Sequence, residues 1–118
     1  MAQSAPTFKI KHVGVNTPDD ASAQALADQI CGLFEVARGH ENEAHIFAGE
    51  SFEVMKHPRI GKHGHIALQT EDIEAAMAFL ASKGITFRES TMRKDAEGKI
   101  TFIYLEQEIG GFALHLTK

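Results

Sequence analysis

K-H-V-G-V-N-T at residues 11–17 and G-H-I-A-L-Q-T at residues 64–70 are two similar heptapeptides, each built on a histidine and alternating apolar residues. Such alternation predicts a β-strand. The closing Thr17 and Thr70 precede acidic residues, which predicts that each threonine caps a helix. Because the same strand-to-helix junction occurs in both halves of the chain, the sequence predicts an internal repeat.

The segments around the two heptapeptides follow one plan. The first strand covers about 7–17, with Phe8, Ile10, His12 and Gly14 on one face. Its helix carries an apolar stripe of Leu26, Ile30, Leu33 and Phe34, and the second helix carries Ile73, Met77 and Leu80. Further strands are predicted at 34–38, 44–48, 51–56, 65–70, 85–89, 100–105 and 112–116, with a polar loop at 91–99.

These elements define an α+β fold of two βαβββ modules. We expect one domain over residues 1–118, with module one at about 7–56, a linker at 57–63 and module two at about 64–118. The modules would form a cupped eight-stranded mixed sheet around one cavity, with the helices outside.

Composition excludes several functional classes. The 118 residues include 43% hydrophobic and 24% charged residues, as in ordinary globular domains, and the net charge of −4 argues against nucleic acid as a partner. No apolar stretch is long enough to span a membrane, and the first residues do not resemble a signal peptide. A single cysteine, Cys31, fits a reducing compartment, so we expect a cytoplasmic protein.

Alternation within four strands predicts the functional site. Each of these strands presents one ionisable side chain to the concave face: His12, Glu53, His65 and His115. Burying a carboxylate with three imidazoles is costly unless they are paired or ligated, and a divalent cation would resolve this. Three histidines and one glutamate suit Zn, Ni, Co or Fe(II) better than Mg or Ca.

Other interpretations remain open. A histidine in a strand is often a hydrogen-bonded structural residue, and a glutamate in an outer strand is often solvated. The four side chains could also form a metal-free hydrogen-bond network, in which loss of any one would affect stability more than function.

The chain resembles the vicinal oxygen chelate (glyoxalase / bleomycin-resistance / dioxygenase) superfamily from about Phe8 to Lys118. The resemblance is carried by K-H-V-G-V, F-E-V-M, G-H-I-A-L and G-G-F-A-L-H-L. It implies that His12, Glu53, His65 and His115 hold one divalent transition metal (Zn, Ni, Co, Fe or Mn). Glyoxalase-like members usually have glutamate at the position of His115, which leaves Glu53 as the carboxylate that could act as catalytic base.

A closer resemblance concerns I-F-A-G-x-x-F-E-V-M-K-x-P-x-x-G-K-x-G-H-I-A and I-Y-L-x-x-E-I-G-G-F-A-x-H-L. These runs are similar to the small module sometimes fused to 2-keto-3-deoxy-6-phosphogluconate / 4-hydroxy-2-oxoglutarate aldolases. In that group the closing histidine is the usual residue. The chain is too short for an aldolase barrel, so Schiff-base chemistry is not expected.

Two functions follow from these expectations. The first is a metal-dependent lyase, isomerase or epimerase that chelates a small 2-oxo or 2-hydroxy acid, with Arg59 and Lys62 holding its anionic group unless they are only solvated linker charges. Arg93 and Lys94 lie in the predicted 91–99 loop, which could close over the cavity. The second is a non-catalytic metabolite-binding or accessory module. The resemblance also implies a homodimer.

Overall fold

The computed structural model describes residues 5–118, which form one eight-stranded mixed sheet and two helices. The elements in chain order are β1 (Lys9–Asn16), α1 (Asp20–Phe34), β2 (Arg38–Glu41), β3 (His45–Ala48), β4 (Phe52–Met55), β5 (Gly64–Gln69), α2 (Ile73–Ala81), β6 (Phe87–Lys94), β7 (Ile100–Leu105) and β8 (Phe112–Thr117). The predicted α+β class and mixed eight-stranded sheet are confirmed.

The strand order β2-β3-β4-β1-β5-β8-β7-β6 is symmetric about its centre. Strand β1 runs antiparallel to β5, and each of these two runs parallel to the last strand of its own half, β4 and β8 respectively. The four strands predicted to carry the site are therefore neighbours in the middle of the sheet.

The two helices cover the face of the sheet opposite the cavity. Helix α1 packs Ala23, Ala27 and Ile30 on β3 and β4, and α2 packs Ile73 and Ala76 on β7 and β8. The predicted stripe on α1 is wrong at its end, because Leu33 and Phe34 are 68% and 67% exposed. The small alanines lie against the sheet instead, since they allow a close approach of helix to strands.

Both predicted helix caps are wrong by two residues. Asp19 caps α1 by accepting a hydrogen bond from the Ser22 N–H at 2.8 Å, and Asp72 caps α2 in the same way from Ala75. Thr17 is buried and donates its hydroxyl to the Met55 carbonyl at 2.6 Å. An aspartate two residues further on competes for the cap, and the threonine ties β1 to β4 instead.

Two strand predictions need correction. A strand was predicted at 34–38, but β2 begins only at Arg38. The reason is that α1 continues to Phe34. Strand β6 continues through residues 91–94, which were predicted as loop. Pairing of Arg93 and Lys94 with β7 holds this part in the sheet, although the register shifts between Arg88 and Arg93 and again before Lys94. Among the described residues, no helix is long and apolar enough to cross a membrane.

A β-bulge in β1 places Ile10 and His12, which were predicted on the same face, on opposite faces of the sheet. Ile10 pairs with Leu68 and His12 pairs with the adjacent Ala67, so Lys11 is an extra residue in β1. This bulge reverses the alternation. Phe8 accordingly packs with the apolar cluster under α2, whereas His12 lies on the cavity side.

Candidate functional site

The register of the central strands brings the four predicted residues together. On the cavity face, Gly14 of β1 lies between Glu53 of β4 and His65 of β5. Ala67 of β5 likewise lies between His12 of β1 and His115 of β8. Two small residues thus leave room for four large polar side chains above them.

The polar atoms of these side chains are close together. Glu53 Oε1 lies 2.8 Å from His65 Nε2 and 3.3 Å from His12 Nε2, and the two Nε2 atoms are 3.3 Å apart. One nitrogen from each of His12, His65 and His115 lies within 4.8 Å of the other two. The three imidazoles are therefore spaced as a group that could hold a metal ion, and Glu53 contacts two of them.

The donor set fits a transition metal. His65 and His115 are 5% and 4% exposed, and among the described residues the Nδ1 atom of each is buried without a hydrogen-bond partner. Neutral imidazole nitrogens and a carboxylate are the ligands that Zn, Ni, Co and Fe(II) prefer. A bound cation would also compensate the burial of the Glu53 charge.

Two further histidines, His45 and His40, belong to the same network and were not predicted. His45 Nδ1 lies 2.7 Å from Glu53 Oε2, and His40 Nδ1 lies 2.9 Å from His45 Nε2. The contact with His45 occupies one carboxylate oxygen, so the other oxygen faces His65 and His12. Alternation in β3 was a sufficient signal for His45, because Ile46 and Ala48 are buried under α1 and His45 must point the other way.

Burial is the main influence on the pKa values of His12 and His115. It lowers the pKa of His115 to about 3, and the nearby His65 and His12 act in the same direction. Burial also lowers the pKa of His12 more than the Glu53 carboxylate raises it. Burial would raise the pKa of Glu53, but the hydrogen bond from His65 and the charges of His65, His12 and His45 bring it below its ordinary value. At neutral pH the site therefore combines a carboxylate with neutral His12 and His115, the forms that bind metal.

The low pKa of His115 makes the metal-free protein sensitive to acid. As the pH falls below about 6.5, His115 becomes protonated in the unfolded chain, whereas in the folded protein it stays neutral down to about pH 3. The contribution of His115 to stability is therefore complete above pH 6.5 and is lost as the pH falls from 6.5 towards 3. Near pH 5 the expected loss from this residue is about 2 kcal/mol. The free energy of unfolding is measured in urea near pH 7.5 and near pH 5. Between these two pH values it should fall less in His115→Gln than in the wild type. An equal loss in both proteins would contradict this account.

The site forms the floor of a cavity of about 900 Å³. Of the two residues predicted to bind substrate, Arg59 lines this cavity, and Lys62 is not among its lining residues. The backbone N–H of Lys62 donates to Glu108 Oε1 at 3.2 Å, which ties this part of the linker to the loop before β8. The cavity side of β6 contributes Arg93, and β7 contributes Phe102 and Tyr104. Lys94, which was grouped with Arg93 in the predicted closing loop, does not line the cavity.

Tyr104 supplies a neutral hydrogen-bond donor. Burial raises the pKa of its hydroxyl to about 12, and Glu53 acts in the same direction. The hydroxyl therefore stays protonated at neutral pH. The Tyr104 ring lies 4.9 Å from the His115 ring and 6.5 Å from the His65 ring, so the donor belongs to the same site.

The backbone at Gly14 lies directly against the His65 imidazole. A Cβ added to Gly14 would overlap the His65 imidazole, so the imidazole would have to move away. We expect Gly14→Ala to destabilise the protein by about 1–3 kcal/mol and to disrupt the His65–Glu53 contact. Gly32→Ala is the matched control, because nothing lies within 4 Å of its added Cβ in helix α1. It should be neutral or stabilising. Urea unfolding of both variants measures the difference, and equal stability would contradict the packing argument.

An eight-stranded mixed sheet with helices on one face and a cavity on the other is the glyoxalase-type α+β fold, and this chain has that fold. Comparison with protein-family models and with curated protein sequences gives no match.

Solved structures are similar over almost the whole chain. A hypothetical protein, BH1468 from Bacillus halodurans C-125, is 17% identical with a TM-score of 0.62, covering 93% of each chain. Methylmalonyl-CoA epimerase from Mycobacterium tuberculosis is 17% identical with a TM-score of 0.61, covering 98% of this chain and 90% of the other. A variant of Streptomyces coelicolor methylmalonyl-CoA epimerase in complex with 2-nitronate-propionyl-CoA is 21% identical with a TM-score of 0.60, covering 92% of each chain. At these identities the likeness shows the fold alone.

Proposed function

We propose that this chain is a metal-dependent enzyme of the glyoxalase type that acts on a small 2-oxo or 2-hydroxy acid as a lyase, isomerase or epimerase. The observation that carries the proposal is the contact of Glu53 with two of three clustered imidazoles, at 2.8 and 3.3 Å, on the floor of a cavity large enough for a metabolite.

In this proposal His12, His65, His115 and Glu53 hold one divalent transition metal: Zn, Ni, Co, Fe or Mn. When bound, such a metal supplies Lewis-acid polarisation of two neighbouring oxygens of the acid, which acidifies the adjacent C–H. The strands that carry the four side chains are hydrogen-bonded neighbours, and they fix the four positions before any ligand arrives.

The remaining chemistry belongs to the side chains of the cavity. Glu53 accepts the proton from the acidified carbon, because its lowered pKa leaves it ionised at neutral pH. His45 holds the Glu53 Oε2 atom at 2.7 Å, so the carboxylate keeps one orientation. The protonated Tyr104 hydroxyl can donate a hydrogen bond to an oxygen of the substrate.

Two comparisons bear on the reaction type. The solved structures of similar fold include methylmalonyl-CoA epimerases, which favours an epimerase among the three reaction types. The resemblance of residues 46–67 to an aldolase-associated module favours a different candidate, a non-catalytic metabolite-binding or accessory module for a sugar-acid aldolase system. Both candidates use the same cavity.

The assembly is part of the proposal. We propose a single domain over residues 1–118, with modules at about 7–56 and 64–118, that forms a homodimer. Leu33 and Phe34, exposed at the end of α1, supply apolar surface that a second copy could cover.

Deuterium exchange tests the enzyme against the binding module. Protein purified without a histidine tag and reconstituted in turn with Zn, Ni, Co, Fe(II) and Mn is incubated in deuterium oxide with a panel of 2-oxo and 2-hydroxy acids. An enzyme should exchange the C–H next to the chelated oxygens, as seen by proton NMR. Saturable binding without exchange supports the binding module. If the protein shows no binding and no exchange with any of these acids, both candidates are contradicted.

A further inference from the structure

The cavity carries more positive charge than the rest of the protein. The chain has a net charge of −4, yet the lining residues include Lys11, Arg59 and Arg93, and Glu53 is the only carboxylate among the described residues that line it. Lys11 is engaged, since its Nζ bonds to the Lys118 backbone oxygen at 3.2 Å. Within residues 5–118, neither Arg59 nor Arg93 forms an ion pair. Two guanidinium groups are therefore available to a ligand.

Arg93 is positioned next to the candidate metal ligands by stacking. Its guanidinium carbon lies 4.6 Å from the centre of the Phe102 ring, and the Phe102 ring lies 4.5 Å from the His115 ring at an interplanar angle of 31°. A guanidinium that stacks through its face keeps its N–H donors at its edges, where they can bind an anion in a fork. Arg93 thus lies one aromatic layer away from His115.

Arg59 approaches the same cavity from the linker. Asn16 Nδ2 donates to the Gly61 carbonyl at 3.0 Å and reaches the Arg59 carbonyl at 3.4 Å, which holds the linker against the end of β1. Arg59, Arg93 and Tyr104 all line this cavity. Two cations and one neutral donor therefore line the same cavity as the imidazole cluster.

We propose that the cavity selects acids with two anionic groups, one chelated at the imidazole cluster and the second, a carboxylate or a phosphate, bound by Arg93 and Arg59 beside Tyr104. The inference rests on the proposed function in placing the first group at the imidazole cluster. It adds a substrate class and gives Arg93 a role in specificity. A neutral end group would forgo the charge-assisted hydrogen bonds to both guanidinium groups, so the site should bind it less tightly.

Matched ligand pairs test the second anionic group. Zn-reconstituted protein is titrated calorimetrically with 2-oxoglutarate against 2-oxopentanoate, which differ by a terminal carboxylate, and with 3-phosphoglycerate against glycerate, which differ by a phosphate. Charge-assisted hydrogen bonds predict that the doubly anionic member of at least one pair binds roughly tenfold to hundredfold more tightly. The pair that shows the preference identifies the second group as carboxylate or phosphate.

Variants assign the preference to Arg93. Arg93→Gln should remove most of the difference within the preferred pair while leaving the singly anionic ligand unaffected. Lys94→Gln is the matched control, because it removes the neighbouring charge outside the cavity and should keep the preference. Equal affinities within both pairs, or equal losses for both members in Arg93→Gln, would overturn the inference.

Metal content separates this inference from the proposed function. Each protein is analysed by elemental mass spectrometry before titration, and the titrations are repeated after metal removal. Metal uptake without a dianion preference overturns the inference alone. A preference that depends on Arg93 in a protein that binds no metal overturns the proposed function and supports the anion site.

Discussion

Replacing Glu53 by glutamine is expected to lower the rate of C–H exchange, counted per bound metal ion, by about 10²–10⁴-fold. Glutamine has nearly the same size but carries no negative charge, so it cannot accept the proton from the substrate carbon. The amide can still reach His65 and His45, which lie 2.8 and 2.7 Å from the two carboxylate oxygens. The exchange rate should therefore fall strongly while the structure around residue 53 is largely kept.

The exchange experiment must separate the two roles proposed for Glu53. Metal content is measured on the same sample, and the rate is divided by the bound metal, so that weaker ligation is not mistaken for loss of the base. Glu50→Gln is the control, because Glu50 is an exposed carboxylate in the turn before β4 and does not line the cavity. An unchanged rate per metal ion in Glu53→Gln would assign the proton transfer to another group.

His65→Ala should abolish near-stoichiometric binding of transition metal. The expected loss of affinity exceeds the roughly 10–100-fold that changes in residues supporting metal ligands produce. The Nε2 atom of His65 contacts both Glu53, at 2.8 Å, and His12, at 3.3 Å, and His65 is only 5% exposed. Elemental mass spectrometry of untagged protein and competition with a chromophoric chelator measure this loss. His57→Ala, in the exposed linker, is the control histidine.

The same variant distinguishes a metal site from a metal-free hydrogen-bond network. A ligand that binds only the folded state raises the free energy of unfolding, by about 2.7 kcal/mol at a hundredfold excess over its dissociation constant. Wild type should gain stability on addition of Zn, and His65→Ala should gain almost none. If the wild type takes up no metal and His65→Ala is simply less stable, the four side chains form a structural network.

The sequence was sufficient to place the four candidate ligands because strand alternation is a local property. Adjacent residues of a strand point to opposite faces whatever the partner strands are. Val54 and Leu116 pack under the helices, so their neighbours Glu53 and His115 must face the cavity. The β1 bulge was not visible in the sequence, since it depends on pairing with β5. The predicted face of His12 is nevertheless right, because residues 12–17 lie beyond the bulge.

The network around the ligands was harder to predict because it depends on distant strands and on the linker. His40 meets His45 across the turn between β2 and β3, and β2 itself was placed too early in the chain. Arg93 was assigned to a loop because residues 91–99 are polar, although pairing with β7 extends the strand over the first of them. Charged residues on an edge strand carry little apolar signal, so tertiary pairing decides their structure.

The bulge at Lys11 makes the length of β1 matter more than the chemistry of that residue. Substituting Lys11 changes one charge at the rim of the cavity, whereas regular pairing of the whole of β1 with β5, with Lys11 kept in the strand, would put Phe8 and His12 on the same face of the sheet. Either Phe8 would then leave the apolar cluster or His12 would turn away from the cavity. At this spacing Phe8 and His12 can lie on opposite faces only if one residue between them is left out of the regular pairing, so homologous chains with the same spacing should keep the bulge even where its side chain varies.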